Sequence, residues 1–170
     1  MKILSRTASC RTGRRRRLIL GGFALIGASL VVLAIVMILH PPYRPPAFEQ
    51  EALAGTPSDL PENLSYQIVE IEQDFSIGLC ATLWRQEDGS VDLYFTNPVT
   101  NEALLLLRVE DSEGNLLGRS GLLRPGEYLQ KMPLTGPLSG EEIPVTLRVL
   151  AYSPDTYYSQ GAVKLNSVVH

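Results

Sequence analysis

The stretch Pro144-Val145-Thr146-Leu147-Arg148-Val149-Leu150-Ala151-Tyr152 sets Val145, Leu147 and Val149 against Thr146 and Arg148. Alternation of this kind is the mark of a strand with one buried face, because successive side chains of an extended chain point to opposite sides. The same texture runs upstream. Ile77 to Arg85 places Ile77, Leu79, Ala81 and Leu83 on one face. Glu87-Asp88-Gly89 follows, and Asp-Gly is a strong hairpin signal. Val91, Leu93 and Phe95 then alternate with Asp92 and Tyr94, up to the turn cluster Asn97-Pro98-Val99-Thr100-Asn101. Ala103 to Glu110 begins as a continuous apolar run. Its length, and the turn residues Asp111 to Asn115 behind it, predict a strand buried on both faces at its start.

Leu116 to Leu123 reads as a further strand, with Gly121 marking a bulge or a bend between sheets. It closes at Arg124-Pro125-Gly126, where Pro125 presets φ and Gly126 supplies the positive φ of a type II turn. Glu127 to Met132 follows, then a looser Pro133 to Glu142. After Tyr152, Ser153-Pro154-Asp155-Thr156 turns the chain, and Tyr157 to Val169 is the last extended segment. These are seven or eight strands, with turns about every 8–15 residues. The pattern predicts an all-β antiparallel sandwich over 66–170.

The succession Asn97-Pro98 with Asn101, Ser120-Gly121, Pro125-Gly126, and Ala151-Tyr152 with Pro154-Asp155-Thr156 resembles a pattern in small membrane-anchored immunoglobulin-like β-sandwich proteins of anaerobic Gram-positive bacteria. The resemblance covers Ile77 to Val169. It implies an immunoglobulin-like fold and a cell-envelope location, and it implies no activity.

Upstream of the β-rich part, residues 18–39 (LILGGFALIGASLVVLAIVMIL) carry no charge and no proline. A helix of this length spans about 33 Å, enough for a hydrocarbon core. Lys2, Arg6, Arg11 and Arg14 to Arg17 precede it, seven bases and no acid. Basic flanks stay cytoplasmic. The expectation is a basic cytoplasmic tail over 1–17, a single transmembrane helix over 18–39 seated in the lipid bilayer, and an extracytoplasmic C-terminal part. Ala52-Leu53-Ala54 fits a leader-cleavage pattern, but it lies far beyond the apolar run, which is itself longer than a signal-peptide core. Residues 40–65 hold Pro41, Pro42, Pro45, Pro46, Pro57 and Pro61, half of the 12 prolines. They read as a semi-rigid extended linker.

The net charge of −3 conceals an asymmetry: from Pro45 onward there are 18 acids against seven bases, a difference of −11. An acidic body argues against nucleic acid and against anionic wall polymers. Cys10 and Cys80 are the two cysteines. The expected topology puts them on opposite sides of the membrane, which excludes a disulfide scaffold.

A catalytic reading finds few residues to stand on. His40 and His170 flank the β-rich part, leaving no internal histidine for a triad or a zinc site. Cys80 lies inside an alternating strand. Glu141-Glu142 are adjacent, not separated across a cleft as glycosidase carboxylates are. The sequence therefore predicts a non-enzymatic interaction or structural module with no metal or cofactor and with an envelope protein as partner. The alternative is a carbohydrate-binding or adhesive module. Trp84, Tyr94 and Tyr152 share the polar parity of their strands, with Tyr157 and Tyr158 close by in sequence. Exposed aromatics of that kind stack on sugars or anchor interfaces.

Overall fold

Alternating segments need partners for their backbone groups, and here they find them in two antiparallel sheets. The computed structural model describes residues 35–39, 43–58, 60–61, 64–71, 75–136 and 140–170. Two units divide the chain, Met1–Arg44 and Pro45–His170. In the first, residues 35–39 are helical. Residues 18–34 of the expected span lie outside the described residues, and among the described residues no helix is long and apolar enough to cross a membrane.

The strands of the second unit are β1 (Leu53–Ala54), β2 (Tyr66–Ile71), β3 (Phe75–Cys80), β4 (Trp84–Arg85), β5 (Ser90–Asn97), β6 (Leu104–Glu110), β7 (Leu116–Arg119), β8 (Glu127–Pro133), β9 (Ile143–Tyr152) and β10 (Ser159–Val169). One sheet has the order β1-β8-β5-β3-β2, with β4 also on β5; the other is β10-β9-β6-β7. The inner faces share one core. Ile77, Leu79, Leu93, Phe95 and Leu129 come from the first sheet, and Leu105, Leu107, Val109, Leu147 and Val149 from the second. The architecture is β-sandwich-like, as the alternation predicts.

Several local readings hold. β9 alternates buried and half-buried along its second half. Gln86 to Ser90 closes the β4–β5 hairpin, with Gly89 at φ 81° and its N–H donating to Gln86 O. β6 is buried on both faces at its start. Leu105 and Leu107 enter the main core, and Leu104 and Leu106 join a second cluster with Leu122, Phe48, Leu150, Tyr152 and Tyr157. Gly126 sits at φ 81° and Glu127 N donates to Arg124 O, closing the turn expected at Pro125-Gly126.

Other readings need correction. The run Ile77 to Arg85 is two strands, because the chain leaves the β3 ladder after Cys80. Leu83 instead pairs in parallel with Val169: Leu83 N donates to Val168 O, and His170 N to Leu83 O. This links the six-stranded sheet to the end of β10. The run Leu116 to Leu123 is interrupted at Ser120, whose hydroxyl accepts the Leu107 N–H in place of a ladder carbonyl.

The stretch read as a linker over 40–65 is, in its described residues from 45, part of the β unit. β1 pairs with β8, and Phe48 bridges Leu122. Glu49 N donates to Leu122 O, and Leu122 N to Ala47 O. Proline-rich backbone is extended, and extended backbone pairs with a sheet edge as readily as it forms a stalk. Phe48, a large apolar residue among polar ones, was the signal.

Candidate functional site

The five aromatics singled out in the sequence do not form one surface. Tyr94 is 5% exposed, covered by neighbouring side chains, but it is not part of the core that takes Leu93 and Phe95. Strand parity sets Tyr94 apart from Val91, Leu93 and Phe95, which enter the core, as the sequence suggests; β5 carries a register irregularity between Asp92 and Phe95, with Tyr94 at φ 48°. The burial of Tyr94 comes from cover on both faces of the central strand β5, where Leu93, Tyr94 and Phe95 are all buried. The Tyr94 hydroxyl accepts a hydrogen bond from Gln130 Nε2 at 3.0 Å.

Trp84 is on the β4 edge, 38% exposed, and stacks on His170 with ring centroids 5.0 Å apart. Tyr152 and Tyr157 belong with Phe48 in the cluster outside the four-stranded sheet, Tyr157 meeting Phe48 edge-on at 6.2 Å. Tyr158 is the most exposed of the five, at 60%. The structure brings together Tyr152, Tyr157 and, next in sequence, Tyr158; Trp84 and Tyr94 lie on the other sheet.

Polar residues at the sandwich end are held by each other. Asn97 Nδ2 donates to the carbonyls of Ala103 and Leu123, and Asn101 Nδ2 donates to Ser76 O. The turn that carries the chain from β5 to β6 is thus pinned to both sheets. The motif Asn97-Pro98 with Asn101 is structural in this arrangement.

Cys80 lies on β3, fully buried. Burial first, and the Asp92 carboxylate second, push its thiol up to about 11. A thiol in that state is not a thiolate nucleophile at neutral pH. Asp92 Oδ2 accepts from Gln86 Nε2, while its Oδ1 is buried without a protein partner. Gly78 leaves room for Tyr66 to cross the outer face of the sheet, where its hydroxyl donates to Thr96 Oγ1 at 3.0 Å.

A cleft of about 620 Å³ opens between the sheets at the β2–β3 and β9–β10 side, with Ile71, Phe75, Ala103, Ala151 and Val163 among its walls. Glu102 and Asp155 are the charged residues of its lining. Among the described residues, no three His, Cys, Asp or Glu side chains cluster so as to hold a metal ion.

No protein-family model matches the chain, and no curated protein matches it.

Proposed function

We propose that the chain is a single-pass membrane protein that displays a non-enzymatic, immunoglobulin-like sandwich outside the cell as an interaction or structural module of the envelope. The observation that carries this reading is how the polar groups near the core are used. Asn97, Asn101 and Ser120 hydrogen-bond to backbone across elements. Cys80 is buried and protonated at neutral pH. Side chains engaged in this way hold a scaffold together. The anchoring half of the reading rests on the sequence: an uncharged stretch over 18–39 behind seven bases. The carbohydrate reading loses its combined surface, since Tyr94 is covered and Trp84 lies on the opposite sheet from Tyr152.

The test is labelling of intact cells with a membrane-impermeant maleimide. Thr100 is exposed on the β5–β6 turn. A Thr100→Cys protein is expected to label from outside, and Cys10 only after permeabilisation. Labelling of Cys10 in intact cells, or protection of Thr100→Cys, would overturn the topology.

A further inference from the structure

The register of the four-stranded sheet draws four cations into one line. Arg119 of β7 pairs with Arg108 of β6, Arg108 with Arg148 of β9, and Arg148 with Lys164 of β10. Leu107 and Val109 flank Arg108 and enter the core, as Leu147 and Val149 do around Arg148. The row therefore lies on the face turned away from the core. Of the seven Lys and Arg residues after Pro45, four stand in this row, in a unit that carries 18 acids.

One carboxylate answers the row. Glu110 Oε1 is 3.5 Å from Arg108 Nε and 3.8 Å from Arg148 Nη1. Among the described residues, Arg119 and Lys164 form no ion pair. Glu49 and Glu51 line a shallow groove with Arg119, and Glu49 Oε2 is taken by the Gly121 N–H. Counting Glu110 alone, the middle of the strip is positive, and Glu49 and Glu51 stand beside its Arg119 end. The Nε atoms of Arg108 and Arg148 are buried and make no hydrogen bond to protein. Like charges directly opposite one another on a sheet destabilise it. Here three such pairs follow in sequence: Arg119–Arg108, Arg108–Arg148 and Arg148–Lys164. An arrangement that costs the fold stability at successive positions is expected where a ligand repays it.

We propose that this face binds a linear phosphate-bearing polymer, laid across the strands along the row. Strands about 4.8 Å apart spread the four cations over about 14 Å. The cations run in a line and do not converge on a point, which suits an extended polyanion. Phosphate fits better than carboxylate. A carboxylate can span two strands here, as Glu110 does through Oε1 alone, but a phosphodiester or phosphate unit offers more acceptor oxygens, in a tetrahedral set that can meet guanidinium groups on neighbouring strands at once. The acidic remainder of the unit is no bar, since salt at about 0.1 M screens charges more than about 10 Å away and spares contacts. The inference does not depend on where the domain is displayed.

Inorganic polyphosphate is the probe, and the thermal midpoint of the β unit is the readout, because binding to the folded face raises it. The full chain is used in detergent with Arg14, Arg15, Arg16 and Arg17 all changed to Gln, so that the tail contributes little. Polyphosphate is expected to raise the midpoint at 50 mM salt and to lose the effect at 500 mM. The double variant Arg119→Gln/Lys164→Gln is expected to need at least tenfold more polyphosphate for half the shift, with an unliganded midpoint equal to or above that of its parent. The matched double variant Arg85→Gln/Arg124→Gln, off the row and outside the lining of the Arg119 groove, is expected to keep the parent's response. No shift in the parent, or equal loss in both double variants, overturns the site. An equal shift with orthophosphate overturns the linear ligand, and an equal shift with poly-glutamate overturns the phosphate assignment.

Discussion

Asn101 Nδ2 donates to Asn97 Oδ1 at 2.7 Å, joining the two ends of the turn between the sheets. Asn97 is fully buried and Asn101 is 7% exposed, so neither side chain has water to fall back on. Asn97→Ala removes this contact and strands the carbonyl of Ala103, while Leu123 O loses one of its two donors and keeps the Leu105 N–H. Leaving buried polar groups unpaired costs more than the net value of the bonds lost. The expected loss is about 2–4 kcal/mol by urea denaturation. A loss below about 1 kcal/mol would mean that the turn is held by other contacts.

Gly121 and Gly126 are both required, for different reasons. A Cβ on Gly121 would stand 2.4 Å from Glu49 N and 2.6 Å from Glu49 Cα, both backbone atoms that cannot rotate away. Gly121→Ala should therefore push residues 47–49 off the sheet and speed hydrogen exchange at the Glu49 amide, which donates to Leu122 O. Gly126 has φ 81° and no atom nearer than 3.8 Å to such a Cβ. Gly126→Val should cost about 1–2 kcal/mol from backbone strain alone, with Glu49 exchange unchanged. Equal exchange behaviour in the two variants would remove the distinction.

That contrast marks what was legible in the sequence. Gly126 followed from a local rule, Pro then Gly in a turn, and the hairpin at Asp88-Gly89 did too. β6 was legible because an apolar run of that length has nowhere to go but between two layers. Gly121 read as a bend, since nothing local reveals that residues 47–49, more than 70 positions earlier, pass against it. Tyr94 kept the parity that sets it apart from Leu93 and Phe95, but the side chains that cover it, such as Gln130, come from elsewhere in the chain and are invisible to a local reading. The cation row was hidden for a related reason. Arg108, Arg119, Arg148 and Lys164 are far apart in the chain, and only strand order and register align them.

Phe48 tests the reassignment of the proline-rich segment. It packs with Leu104, Leu106 and Leu122, and the Arg124 guanidinium lies 3.9 Å from its ring centre. Phe48→Ala should cost about 2–3 kcal/mol, because a half-buried ring leaves a covered surface. Arg124→Ala should cost less than about 1 kcal/mol, since that side chain is 54% exposed and its ion pair with Glu127 is screened. A silent Phe48→Ala would restore the free-linker reading of residues 45–52.

Cys80 should make the fold sensitive to alkali. Its folded thiol is raised from 9.0 to about 11, first by burial and then by the charge of Asp92. A raised folded value means that the folded state holds the proton when the unfolded state has lost it. The stabilising contribution is whole below pH 9 and is lost as pH rises toward about 11. The limiting slope for one proton is about 1.4 kcal/mol per pH unit. Tyr66 and Tyr94 are raised from 10.0, Tyr66 by burial and Tyr94 by burial and then Asp92, and they act in the same direction at higher pH. Between pH 9 and 10 the thiol contributes most, and the comparison with Cys80→Ala separates it from the tyrosines. Urea unfolding across that interval should show stability falling in the parent and falling less in Cys80→Ala. Alkylation by iodoacetamide at pH 8 should be slow in the folded protein and fast in urea. Identical slopes in the two proteins, with a folded thiol that reacts at the denatured rate, would place Cys80 in contact with solvent and overturn the assignment of a buried, protonated thiol.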